Sequence, residues 1–158
     1  MKHSLKVGFS FGTTSGIITT LGLMVGLHSG TNSKLAVIGG LFTIAIADAF
    51  SDALGIHISE EFENQHTPVQ IWASTVCAFL AKFIVALTFA LPVLTLELGM
   101  AIKIGIIWGL SLLSLLSYSI AKSQRINPWG VILEHLVIAI SVIIATHYVG
   151  DWVAIRFG

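Results

Sequence analysis

Charge is scarce in this sequence: only 10% of its 158 residues are Asp, Glu, Lys or Arg, where soluble domains carry roughly 25%. The few charges cancel, eight basic against eight acidic. That removes the basic stripe a nucleic-acid partner would need. Cysteine is nearly absent. Cys77 stands alone in an apolar run, so no internal disulfide can form and the redox compartment is not legible from it. Proline occurs only at positions 68, 92 and 128. There is no phosphate-binding glycine loop, no paired-cysteine motif and no nucleophile with its base, which weighs against an enzyme and against a resident cofactor. What fills the chain instead is apolar: 55% hydrophobic residues and a mean hydropathy of +0.92. A soluble fold this small could not hide so much apolar surface, so the chain must meet lipid.

A spanning helix takes about 20 mostly apolar residues. Five stretches qualify, at about residues 6–27, 34–58, 69–91, 98–121 and 128–149. The fold class predicted is all-α, a single transmembrane domain of five helices. Polar punctuation separates them. His28 to Ser33 is turn-rich, residues 59–67 are acidic and polar, Pro92 and Glu97 mark a short turn, and residues 122–127 form a polar loop. Pro68 and Pro128 suit first helical turns. Trp129 and Trp152 bracket the last span, where interfacial aromatics are expected. The start, Met1 to Lys6, resembles the basic region of a signal peptide. The apolar stretch behind it is too long and lacks a small-residue cleavage site, which predicts a retained first helix. Lys2, Lys6, Lys122 and Arg125 fall on one side, while Lys34 and Arg156 fall on the other with Lys103 near it. That bias predicts a cytoplasmic amino terminus and an external carboxyl terminus.

Helix 1 carries a seam of small residues, Gly8, Gly12, Ser15, Thr19, Gly22 and Gly26, spaced 4, 3, 4, 3 and 4. Such spacing puts them on one face and allows a close helix contact in lipid. The partner is either a helix of the same chain or a second copy. Helix 2 carries Asp48 and Asp52, one turn apart with Ser51 beside them. A charge near mid-membrane costs at least about 2.5–3.5 kcal/mol, so intramembrane carboxylates are functional candidates by default. Close carboxylates also repel, and oxygen ligands suit hard cations. The pair therefore reads as a cation site that exchanges metal for protons, with Ser15 and Thr19 lining it. The plainer reading is a structural ion pair with Lys82 of helix 3. Past the membrane, His57, Glu60, Glu61 and Glu63 offer imidazole and carboxylates to a metal such as Fe, Mn or Zn, or they are a solvated helix end. Glu134 and His135, in the first half of helix 5, are possible proton carriers or ion-pair partners, Glu134 for Lys82.

The stretch Phe11-Gly12-Thr13-Thr14-Ser15-Gly16-Ile17-Ile18-Thr19-Thr20-Leu21-Gly22-Leu23-Met24-Val25-Gly26-Leu27, with residues 47–61, resembles the first two helices of the vacuolar iron transporter family. The similarity covers about 50 residues specifically, and the remainder by its pattern of spans. The resemblance implies a homodimer with helix 1 at the centre and proton-coupled export of ferrous iron or manganese from the cytosol. Three departures stand out. The family's helix-1 aspartate falls at Ser15, its helix-2 methionine falls near Ser51, and its cytoplasmic metal-binding insert is replaced by residues 59–67. Loss of the soft methionine ligand makes harder ions such as Mn, Mg or Ca plausible, with Asp48 and Asp52 taking over the missing carboxylate.

The sequence thus predicts a divalent metal transporter, with the metal as substrate. The alternative is a non-transporting assembly or sensor subunit whose aspartates are structural. A prokaryotic plasma membrane is the simpler expectation, given no organellar signal.

Overall fold

The computed structural model describes residues 1–158 and is entirely helical. Five helices follow in order: α1 (Lys2–Thr31), α2 (Lys34–Glu63), α3 (Pro68–Thr95), α4 (Leu98–Gln124) and α5 (Pro128–Phe157). Each is long and apolar enough to cross a bilayer, and the chain is an integral membrane protein.

Local chemistry sets where each helix starts and stops. Ser33 caps α2, its hydroxyl accepting from the Ala36 N–H at 3.2 Å. Thr67 and Gln70 form a capping box ahead of Pro68, and Asn127 accepts from the Trp129 N–H ahead of Pro128. These side chains take up amide groups that a helix start leaves free. Asn32, Asn64 and Arg125 end α1, α2 and α4 in the left-handed conformation, with φ of 45°, 52° and 58°. Four of the five helices begin within a residue of the sequence expectation, and all five end later than expected. The spans were expected to stop where polar residues begin, but polarity does not unwind a helix that has reached the interface; a cap does. Pro92 corrects the reading of a turn at that point. It lies inside α3, which continues to Thr95, and its carbonyl accepts from the Leu96 N–H at 3.0 Å.

Helix α1 packs against all four others, so it forms the axis of the bundle. Its buried Ile17, Leu21 and Met24 meet Val37 and Leu41 of α2, Phe89 and Val93 of α3, and Leu113 of α4 in one core. Its glycines are taken up within the chain. A methyl group added at Gly8 or Gly12 would sit 3.0 Å from the Cα of Ser74 or Ala78, and one at Gly16 would sit 3.2 Å from the Cα of Lys82. Gly22 faces the side chains of Val142 and Thr146 on α5, and Gly26 faces the Thr146 backbone. Small residues that let backbones approach this closely are how helices associate where lipid offers no hydrophobic drive. Of the two partners open to the seam, its glycines meet helices of the same chain. Ser15 and Thr19 stay half-buried.

Helix α5 packs on α1 and α4 only along one edge, with Ala139 and Gly150 its only buried residues. Trp129 and Trp152 are exposed near its two ends.

Candidate cation site within the helices

The ionisable residues of α2 and α3 meet at one level. Helix α2 runs from 34 to 63, so its midpoint falls between Asp48 and Ala49; α3 runs from 68 to 95, with its midpoint between Ala81 and Lys82. Ser15 lies within two residues of the middle of α1, which runs from 2 to 31. The three helices therefore bring Ser15, Asp48, Asp52 and Lys82 to the centre of the bundle's thickness. The close approach of Gly12 to Ala78 and of Gly16 to Lys82 carries the root of the lysine to the α1 backbone.

Lys82 is the hub. Its side chain is 1% exposed, and its ammonium donates to Ser15 Oγ at 2.9 Å and to Asp52 Oδ2 at 2.5 Å. It also forms an ion pair with Asp48 Oδ2, although that contact lacks the direction of a hydrogen bond. One ammonium thus bridges two carboxylates one turn apart, and with all three ionised the cluster carries a net charge of −1. The aspartates are less enclosed than the lysine, with side-chain exposures of 28% for Asp48 and 19% for Asp52. Asp48 forms part of the wall of an open groove of about 510 Å³ that also takes in Leu23, Thr43 and Ser51. The groove gives the site an approach from outside the bundle. No ionisable partner other than Lys82 contacts either aspartate.

Other predicted residues are placed differently. Thr19 does not offer its hydroxyl to the cluster; it donates to the Ser15 carbonyl at 2.8 Å, as threonines on helices commonly do. Ser51 is exposed on the groove side. The quartet at the end of α2 does not converge. Residues advance about 100° per step around a helix, so His57 and Glu61 share a face, Glu60 turns inward and Glu63 points elsewhere. His57 Nε2 lies 3.7 Å from Glu61 Oε1, while Glu60 is 7% exposed with Oε2 unpartnered. Glu61 and Glu63 are exposed. No three His, Cys, Asp or Glu side chains gather anywhere in the chain.

The second nitrogen of His57 is engaged as well. The Thr75 hydroxyl donates to the Ile71 carbonyl at 2.7 Å, so the contact of 2.9 Å with His57 Nδ1 has the imidazole donating. His135 is held in the same manner by Ser117 of α4 at 2.8 Å. Glu134 is exposed on α5 and does not pair with Lys82. The reason is topological: α5 packs mainly on α1 and α4, whereas α3 packs mainly on α1 and α2.

One cluster was not foreseen. Near the opposite end of the bundle from the amino terminus, Ser29 contacts His147 Nδ1 at 3.0 Å and the carboxylate of Asp151, and His147 Nε2 lies 3.4 Å from Asp151 Oδ2. It fastens α1 to α5 where Gly150 lets the backbones close up on Gly26 and Gly30. The i, i+4 spacing of His147 and Asp151 was the available signal, but their partner on α1 depends on the packing of α5.

No family model, curated protein or solved structure matches this chain.

Proposed function

We propose that the chain is a transporter of divalent metal ions, coupled to protons and working as a homodimer. The observation that carries this reading is the pair Asp48 and Asp52 near the middle of α2, held by one buried ammonium yet open to a groove on one side. A purely structural pair gains nothing from that opening, since exposure to lipid at this depth is costly. The available ligands are all oxygens, from the two carboxylates and the Ser51 hydroxyl, while Ser15 is already taken by the Lys82 ammonium. That set suits Mn²⁺ and other hard ions better than it suits soft ones. Of the ions the resemblance suggests, Fe²⁺ and Mn²⁺, manganese is the better fit. Protons enter through charge balance. An empty site is neutral when one carboxyl holds a proton beside Lys82, and an arriving dication has to displace positive charge from a low-dielectric place where net charge is expensive.

The second copy is assigned to the groove side. Gly39, Thr43, Ala47, Ser51 and Gly55 repeat every four residues along α2 and all are exposed; nothing lies near Gly39 or Gly55. A partner packed there would cover Asp48 and complete the site. The polar path would run between α1 and α2 of both copies. Basic residues at the ends of α1 and α4 support a cytoplasmic amino terminus, with export from the cytosol across a prokaryotic plasma membrane as the direction.

One observation favours the rival, a non-transporting subunit: the ion pair is complete as it stands. Flux in proteoliposomes separates the two. The expected result is Mn²⁺ uptake that dissipates a proton gradient and is lost in Asp52→Asn while the protein keeps its helicity. Equal uptake in wild type, Asp48→Asn and Asp52→Asn would rule the site out.

A further inference from the structure

The geometry points to Lys82 as the residue that makes the site reject monovalent cations: we propose that its ammonium is a tethered competitor, already seated where Na⁺ or K⁺ would bind. The inference rests on reading Asp48 and Asp52 as a cation site, and goes beyond it by assigning the selectivity to a residue that is not a ligand. A free monovalent ion brings no more charge than the ammonium it must displace. It must also leave its hydration shell and give up its freedom of motion, whereas Lys82 is anchored by its own helix. The anchoring is tight. The lysine side chain is 1% exposed, its backbone is pressed against Gly16, and its three contacts lie on two other helices, at Ser15, Asp48 and Asp52. A dication differs in kind. Attraction to each carboxylate scales with charge, so a doubly charged ion outcompetes the ammonium at two carboxylates together. Ser15 Oγ, at 2.9 Å, remains as a partner for the displaced ammonium. Charge, more than size, then decides what enters.

Mn²⁺ uptake and ²²Na⁺ uptake into proteoliposomes test this, with Na⁺ at about 100 mM against a bulky organic cation at matched ionic strength. In wild type, Na⁺ should change Mn²⁺ uptake by less than about twofold and ²²Na⁺ should not accumulate. In Lys82→Met, Na⁺ should depress Mn²⁺ uptake about tenfold, equivalent to ~1.4 kcal/mol of competition, and ²²Na⁺ should enter. Lys82→Arg should restore the wild-type pattern. If Lys82→Met does not fold, the double variant Asp52→Asn/Lys82→Met carries the test, because removing one charge of each sign keeps the cluster's net charge. It too should admit ²²Na⁺. Insensitivity to Na⁺ and no ²²Na⁺ entry in the folded variants would overturn the role of Lys82, as would strong Na⁺ inhibition of wild type. Absence of Mn²⁺ uptake in wild type, with no ²²Na⁺ entry in either lysine variant, would instead sink the cation-site reading itself.

Discussion

Replacing both aspartates while leaving the lysine should destabilise the bundle far more than replacing all three. In Asp48→Asn/Asp52→Asn, the Lys82 ammonium keeps its 1% exposure and its Ser15 contact but loses both anions. Breaking a buried pair from one side typically costs about 3–5 kcal/mol, because the surviving charge is left uncompensated. The amides of the two asparagines can still accept from the ammonium, so the lower end of that range is the figure expected. Adding Lys82→Met removes the stranded charge and fills the space with an unbranched apolar chain of similar length. Replacing whole buried ion networks by apolar groups is often neutral or stabilising, so the triple variant should return to within about 1 kcal/mol of wild type. The single variant Lys82→Met should fall between them, since it leaves two neighbouring carboxylates without a counter-charge, but both are less enclosed than the lysine was. Reversible unfolding in mixed micelles, followed by helicity, measures all four proteins. A double variant as stable as wild type would show that Lys82 does not depend on the two carboxylates, as would a triple variant no better than the double.

Three further outcomes follow from the packing. Gly12→Val should lower stability by about 1–3 kcal/mol, the usual range for overpacking, because any side chain there meets the Ala78 backbone; Gly39→Ala, with nothing beside it, should leave the folding of the single chain unchanged in the same unfolding assay. Thr43→Cys or Ala47→Cys, in a Cys77→Ser background, should crosslink two copies on mild oxidation, whereas Leu133→Cys on the exposed side of α5 should not; equal crosslinking at all three would move the dimer contact elsewhere. Asp151→Asn should loosen the end of α5 while changing global stability by less than about 1 kcal/mol, as exposed polar ties usually do, and hydrogen exchange near Gly150 would register it.

The five spans were legible because long apolar runs admit few alternatives, and because Pro68 and Pro128 suit helix starts. The helix ends were not, since Asn32, Asn64 and Arg125 stop their helices by adopting a left-handed backbone that polarity alone does not signal. Lys82 was legible as a buried cation in need of an anion, and Asp48 and Asp52 stood among its candidates. Choosing them over Glu134 required knowing that α3 packs on α2 while α5 packs mainly on α1 and α4. The glycines of α1 announced a close contact but not its partner, because a helix of the same chain and one of a second copy present the same kind of surface in lipid. The arrangement at the end of α2 was hidden for a related reason. Its four candidate ligands are close in sequence, yet helical rotation sends Glu60 inward and Glu63 away from His57.

Whether Asp48 and Asp52 bind a divalent ion is tested by anomalous diffraction from crystals of the protein grown with Mn²⁺. A manganese peak is expected between Asp48 and Asp52, with the Lys82 ammonium withdrawn from them. A lysine still bridging both aspartates, with manganese bound only at surface carboxylates such as Glu61 and Glu63, would contradict binding there.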